Sequence, residues 1–179
     1  RGASRQRLSG YGLRRALRAG IQRVIAQRDE LNRINVFPVP DGDTGSNLSS
    51  TLGHVLQGAL SRRSRHIGEL LVRIGNDAID GARGNSGAIM AQFLVGLAEQ
   101  ARNAPVLDAA SLASAVRRGA DSARAALAQP VEGTILSVIS AFADALDEAA
   151  RQHGKDPQGG FARALLRARG ALADTPKQM

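Results

Sequence analysis

Pro38 and Pro40 stand one residue apart in the stretch Asn35-Val-Phe-Pro-Val-Pro-Asp-Gly-Asp-Thr-Gly-Ser-Asn47. They forbid helix at the centre of a segment with helical patterning on both sides. Proline fixes φ and pushes the preceding residue into extended geometry. Gly42 and Gly45 allow the backbone conformations that other residues resist. The chain must therefore leave one helix near Asn35, cross an extended path, turn tightly at 41–45 and enter a second helix at Ser46-Asn47. Asp41 and Asp43 sit inside that turn, one glycine apart. Like charges so close repel each other unless a cation lies between them. A hard cation such as Mg²⁺ takes one or two carboxylates and fills its shell with water and phosphate oxygens. Asn35 offers a further oxygen ligand. The same Asp, Gly and Ser residues also make an ordinary capped turn, and taken by themselves they leave both readings standing. An EF-hand loop counted from Asp41 fails at Gly45, Ser46 and Leu52, so a calcium loop is excluded.

Apolar spacing predicts helices along the rest of the chain. Leu17, Ile21, Val24, Leu31 and Ile34 mark the first, from about Gly10 to Asn35. Leu48, Leu52, Val55, Leu56 and Ala59 mark the second, followed by a basic connector over 61–64. Ile67, Leu70, Leu71, Ile74 and Ala78 mark the third, which Gly81 ends. The fourth starts near Asn85 and carries Ile89, Phe93 and Leu97. Pro105 breaks the chain. A fifth helix begins at Asp108 and a sixth carries Ile135, Val138, Ile139, Phe142 and Leu146. A seventh carries Phe161, Leu165, Ala168 and Leu172. No stretch alternates as a strand does. The expected fold is all-α: an antiparallel bundle or barrel of seven to eight helices with short connections. Residues 1–9 are expected to be a disordered or added lead, and 10–179 the helical domain, with an eighth helix expected past Met179.

Composition narrows the function classes. Hydrophobic residues make up 43% of the chain but aromatics only 3%, and Ala and Leu dominate, which suits closely packed helices. Without cysteine there is no disulfide, thiolate nucleophile or Cys-ligated zinc. No apolar run reaches the roughly 18 residues of a membrane span, and from the polar, basic stretch over 1–10 no signal peptide is expected. A cytoplasmic location is expected. The formal charge of +8 is almost all arginine, scattered as Arg14-Arg15, Arg62-Arg63-Arg65 and Arg117-Arg118. No aromatic residues interleave with it, so a stacking platform for single strands is absent and DNA or RNA binding is not expected. His54, His66 and His153 share no spacing with a nucleophile or carboxylate and read as surface or packing residues. No acid–base residue is identified. That fits phosphoryl transfer, where catalysis is positioning plus charge neutralisation.

Gly81-Ala-Arg-Gly-Asn-Ser-Gly87 joins the third and fourth helices. Unpaired N–H groups and the helix dipole make the start of a helix a natural phosphate site. A C-cap followed by an N-cap is the plain alternative. Walker A and Rossmann readings fail, because no Gly-Lys-Ser/Thr follows and no strand precedes. Pro130-Val-Glu-Gly-Thr-Ile-Leu136 is a further interhelical turn, with Thr134 a candidate N-cap.

The three motifs together, in this order, closely resemble the nucleotide-binding domain of bacterial fatty acid kinase, which is similar to the L subunit of dihydroxyacetone kinase. The resemblance covers about Leu17 to Thr175. It implies an eight-helix barrel with ATP at one end. It carries the binding of two Mg²⁺ ions onto Asp41 and Asp43. Asn35 stands where the dihydroxyacetone kinase pattern has a third aspartate. Phosphate and nucleotide contacts are carried onto Thr44, Gly45, Ser46, Asn47, Gly84, Asn85, Ser86, Gly87 and Thr134. Ser46 and Leu48 replace the more usual Thr and Met. The family transfers the γ-phosphate of ATP to a fatty acid carboxylate presented by a separate fatty-acid-binding protein, giving an acyl-phosphate. Further domains of the same chain and such a partner protein are therefore expected, with homodimerisation left open. A ketose-phosphorylating L-type subunit and a non-catalytic nucleotide-binding module are the alternatives. The isolated domain is expected to bind nucleotide with little or no turnover.

Overall fold

The computed structural model describes residues 7–29 and 44–126, together with positions 135, 139, 140, 142–144 and 146. The described residues form an all-α fold with one small two-stranded sheet. Strand β1 (Arg7–Ser9) leads into helix α1 (Gly10–Ala26). Helix α2 (Thr44–Gln57) is followed by a single 3₁₀ turn (Ala59–Ser61). Helices α3 (Ile67–Gly81) and α4 (Gly84–Ala101) are joined by two residues. Strand β2 (Val106–Asp108) then runs into α5 (Ala109–Ala125).

Helix α4 is the centre. It packs against α2, α3 and α5. Its buried residues, among them Ile89, Met90, Phe93, Leu94 and Leu97, spread over more than one face, as a helix with neighbours on several sides requires. Ile89 and Met90 are thus core. The short α3–α4 connection makes those helices antiparallel neighbours. α5 crosses α4 at unusually close range: a β-carbon on Gly119 would lie 2.6 Å from the Phe93 carbonyl oxygen. Only glycine permits that approach. Ile135, Ile139, Phe142 and Leu146 are helical and buried in the same core, at the spacing expected of the sixth helix. Val138 and the seventh helix lie outside the described residues.

Caps explain where the helices start. Ser9 Oγ accepts from Gly12 N–H at 3.2 Å and Asp108 Oδ1 from Ser111 N–H at 2.8 Å. The latter bond, with the Ser111 side chain, holds the Asp108 carboxyl below its ordinary pKa. His66 also caps: its Nδ1 accepts from Glu69 N–H at 3.0 Å. The first N–H groups of α3 are met by main chain, Ile67 donating to the Pro105 carbonyl and Gly68 to that of Ala104.

Two expectations change. Arg7–Ser9, expected within a disordered or added lead, instead pairs antiparallel with β2 in the register Arg7↔Asp108, Leu8↔Leu107, Ser9↔Val106. Three-residue strands are too short to show alternation, and burial of Leu8 and Leu107 anchors them. The first helix does not run unbroken to Asn35: it closes at Gln27, whose N–H bonds the Arg23 and Val24 carbonyls, and helical backbone resumes at Arg28. No glycine or proline announces that break. The fourth helix starts at Gly84, in keeping with the expected start near Asn85.

Candidate functional site

The two motifs around Asn47 and Gly84 are far apart in sequence and adjacent in space. α2 presents Asn47 and Thr51, one turn apart on one face. Asn47 is 8% exposed and Thr51 is fully buried. Thr51 Oγ1 donates to the Asn47 carbonyl at 2.9 Å and accepts from Arg83 N–H at 3.1 Å. One hydroxyl therefore ties the α3–α4 loop to the first turns of α2. The glycines of the loop make the fit. Gly84 has φ +66°, a left-handed conformation, and a β-carbon there would run into the Asn47 side chain, 2.6 Å from its Cγ. A β-carbon on Gly87 would run into Thr51 Oγ1. The N-terminal turns of α2 and α4 thus lie side by side.

This end of α4 is unlike the other helix starts. Its N-cap, Arg83, makes no side-chain cap bond, whereas the N-caps of α1, α3 and α5 each do among the described residues. Gly87 N–H bonds the Arg83 carbonyl at 3.2 Å. The N–H groups of Gly84, Asn85 and Ser86 precede that first intrahelical bond, and the dipole adds partial positive charge where they point. Gly84 and Asn85 are exposed, Ser86 half-buried and Gly87 buried. This donor set fits an anionic phosphate. Ser46 is exposed at the facing end of α2 and Gly45 is buried, while Thr44 contributes its backbone as the first residue of α2. Asn35, Asp41, Asp43 and Thr134 lie outside the described residues. Among the described residues no group of three or more His, Asp or Glu side chains forms a metal site, and no helix is long and apolar enough to cross a membrane.

The sequence reading missed Thr51, although Asn47 and Thr51 share the i, i+4 spacing of one helix face. It also missed Asp77, whose Oδ2 accepts from Ala59 N–H at 2.6 Å and fixes the chain as it leaves α2. His54 packs against Gly81, in keeping with a packing role.

Thr51→Val keeps the shape and removes the hydroxyl. It leaves Arg83 N–H without its partner, so thermal or urea unfolding should show a loss of about 1–3 kcal/mol. Thr51→Ser should recover most of it. Equal stability of Thr51→Val and wild type would mean the hydroxyl does not hold the loop.

A family model described as the DAK2 domain matches residues 38–179. Among curated proteins, an uncharacterized protein of Staphylococcus saprophyticus is 36% identical over 133 residues, covering 74% of this chain and 24% of its own length. Another, from Staphylococcus haemolyticus, is 38% identical over 126 residues, covering 70% of this chain and 23% of its own. A third, from Staphylococcus aureus, is 36% identical over 131 residues, covering 73% and 24%. The chain spans about a quarter of the length of these relatives. With the family model matching most of its length, the chain belongs to the DAK2 domain family, a kinase-related family that is dihydroxyacetone kinase L-subunit-like.

Proposed function

We propose that this chain is the ATP- and Mg²⁺-binding domain of a fatty acid kinase. The observation that carries the reading is the joined pair of helix starts: α2 and α4 meet at Asn47, Thr51, Gly84 and Gly87, and the first turn of α4 has no side-chain cap. Phosphates seated there receive the N–H groups of Gly84, Asn85 and Ser86. Asp43 directly precedes Thr44, the first residue of α2. In this reading Asp41 and Asp43, with Asn35, would hold two Mg²⁺ ions, whose charge would neutralise the phosphates. Such a site needs no acid–base residue, since positioning and metal charge do most of the work of phosphoryl transfer. Thr134 would add a nucleotide contact in this reading.

The acceptor in this reading is the carboxylate of a fatty acid, brought by a separate fatty-acid-binding protein in the cytoplasm, and the product is an acyl-phosphate. The remaining domains of a longer chain complete the enzyme, as the length of the Staphylococcus relatives supports. The family description favours one second reading, an L-type subunit that phosphorylates a small ketose. The test uses the full-length protein with ATP, Mg²⁺ and either acyl-loaded binding protein or dihydroxyacetone with its own partner. Hydroxylamine-trapped acyl-phosphate supports the first reading. Triose phosphate in its place selects the second.

A further inference from the structure

At the opposite end of α2 lies a second feature that the nucleotide site does not use. Tyr11, Arg14, Arg15 and Arg18 follow the i, i+3, i+4, i+7 spacing and form one stripe on α1, opposite the buried Leu13 and Ala16 and flanked by the buried Leu17 and Ile21. Like charges at these spacings oppose helix formation. The stripe is nonetheless built in place. Arg14 Nε donates to the Leu60 carbonyl at 2.9 Å and Arg18 Nη1 donates to the same oxygen at 3.2 Å. Arg63, from the connector after the 3₁₀ turn, closes the far side. Tyr11, Arg14, Arg15 and Arg63 line a cleft of about 260 Å³. Burial, with Arg18 and Arg63 nearby, pushes the Arg14 pKa below its ordinary value.

No carboxylate balances this charge among the described residues. None of the ion pairs Arg28–Asp29, Arg118–Glu99 and Arg124–Asp121 involves the stripe. Two other surface clefts carry arginines, but each is also lined by an acid, Glu69 in one and Asp121 in the other. Among the described residues that line the Tyr11 cleft there is none. Its arginines come from two segments of chain. A planar carboxylate is matched by one guanidinium fork, so several arginines on one cleft suit a tetrahedral, multiply charged group better. The volume falls below the roughly 300–1,000 Å³ of sites for drug-sized ligands. It suits a single phosphate group and is small for a nucleotide. Helix α2 separates it from the Gly84 loop by about 20 Å, at 1.5 Å per residue.

We propose that the cleft formed by Tyr11, Arg14, Arg15 and Arg63 is a second anion site, which takes the phosphate group of a soluble phosphorylated compound or of a phospholipid headgroup. Arg15 and Arg63 supply the forks, Arg14 is fixed against Leu60 as the floor, and the Tyr11 hydroxyl offers a further donor. The inference is independent of the reading of the nucleotide site.

The test titrates inorganic phosphate into the chain by calorimetry, at low ionic strength and without Mg²⁺. It compares wild type with Arg15→Gln/Arg63→Gln. Both side chains are exposed, and an unchanged melting temperature confirms that the fold survives. The expected result is phosphate affinity at least roughly tenfold weaker in the double variant, the loss of charge-assisted hydrogen bonds. Mg²⁺-dependent ATP binding is measured alongside and should match wild type. Sedimentation with phosphatidylglycerol or phosphatidylcholine vesicles separates the sources. Binding to the anionic vesicles that the double variant loses assigns the headgroup; phosphate binding without vesicle binding assigns a soluble ligand. Wild type that binds neither millimolar phosphate nor anionic vesicles overturns the proposal. So does binding that the double variant retains in full. ATP binding lost together with phosphate binding would mean that the two sites are one.

Discussion

Gly84→Ala should weaken Mg²⁺-dependent ATP binding by tenfold or more and cost stability as well. The backbone there has φ +66°, which costs an L-residue about 1–2 kcal/mol. The added methyl also meets the Asn47 side chain, 2.6 Å from Cγ. Asn47 is packed between two helices and has little room to retreat. Either the first turn of α4 shifts away from α2 or Asn47 leaves its place. In both cases the N–H groups of Gly84, Asn85 and Ser86 no longer face the end of α2. About 1.4 kcal/mol of lost interaction is a tenfold change in affinity, so even a small displacement is measurable. Calorimetric titration checks the affinity and a thermal melt the stability. A Gly84→Ala protein that binds ATP like wild type would mean that the close approach of the two helices has no part in binding nucleotide.

Phe93→Ala should be the most damaging single change to stability, at about 3–5 kcal/mol. Phe93 is fully buried on α4, and its ring lies 2.9 Å from where a β-carbon on Gly119 would sit. The ring thus fills the space at the α4–α5 crossing, and removing it leaves a cavity that the glycine opposite cannot fill. Against a total stability of about 5–15 kcal/mol for a domain, that loss would leave a substantial unfolded fraction at moderate temperature. Urea unfolding measures it. Phe93→Leu, which keeps most of the volume, should cost about 1.5 kcal/mol or less. A loss below about 1 kcal/mol for Phe93→Ala would mean that α4 is not the helix on which the core is built.

Much of this architecture is legible in the sequence because helices declare themselves locally. Ile67, Leu70, Leu71, Ile74 and Ala78 give the buried face of α3 by spacing alone, and Gly81 gives its end. Asp108 reads directly as the start of α5, since its carboxylate caps a backbone N–H three residues on. The small sheet escapes the same reading because three residues carry no period, and its pairing joins positions about a hundred residues apart. The break at Gln27 escapes it because local backbone geometry makes it, without a proline or glycine. His66, expected as a surface or packing residue, is a cap, a role in which Ser, Thr, Asp and Asn are the usual residues.

The site divides along the same line. Gly84 and Asn47 stand out as motif residues, but their direct contact is a tertiary fact, as is the bond from Arg83 to Thr51. The arginines show the converse. As a sequence they read as scattered solvated charge. Arg14 and Arg18 are instead bonded to one carbonyl of a chain segment more than forty residues away. Spacing along α1 gives the stripe; only the fold supplies Leu60 and Arg63.

The most direct test of the account is calorimetric titration of ATP into this chain, with and without Mg²⁺, beside Asp41→Ala and Asp43→Ala. Wild type is expected to bind ATP only when Mg²⁺ is present. Both variants are expected to lose this binding while their melting temperatures show that the fold persists. ATP affinity unchanged in the two variants, or equal with and without Mg²⁺, would contradict the metal–nucleotide site and return the two aspartates to the role of turn residues.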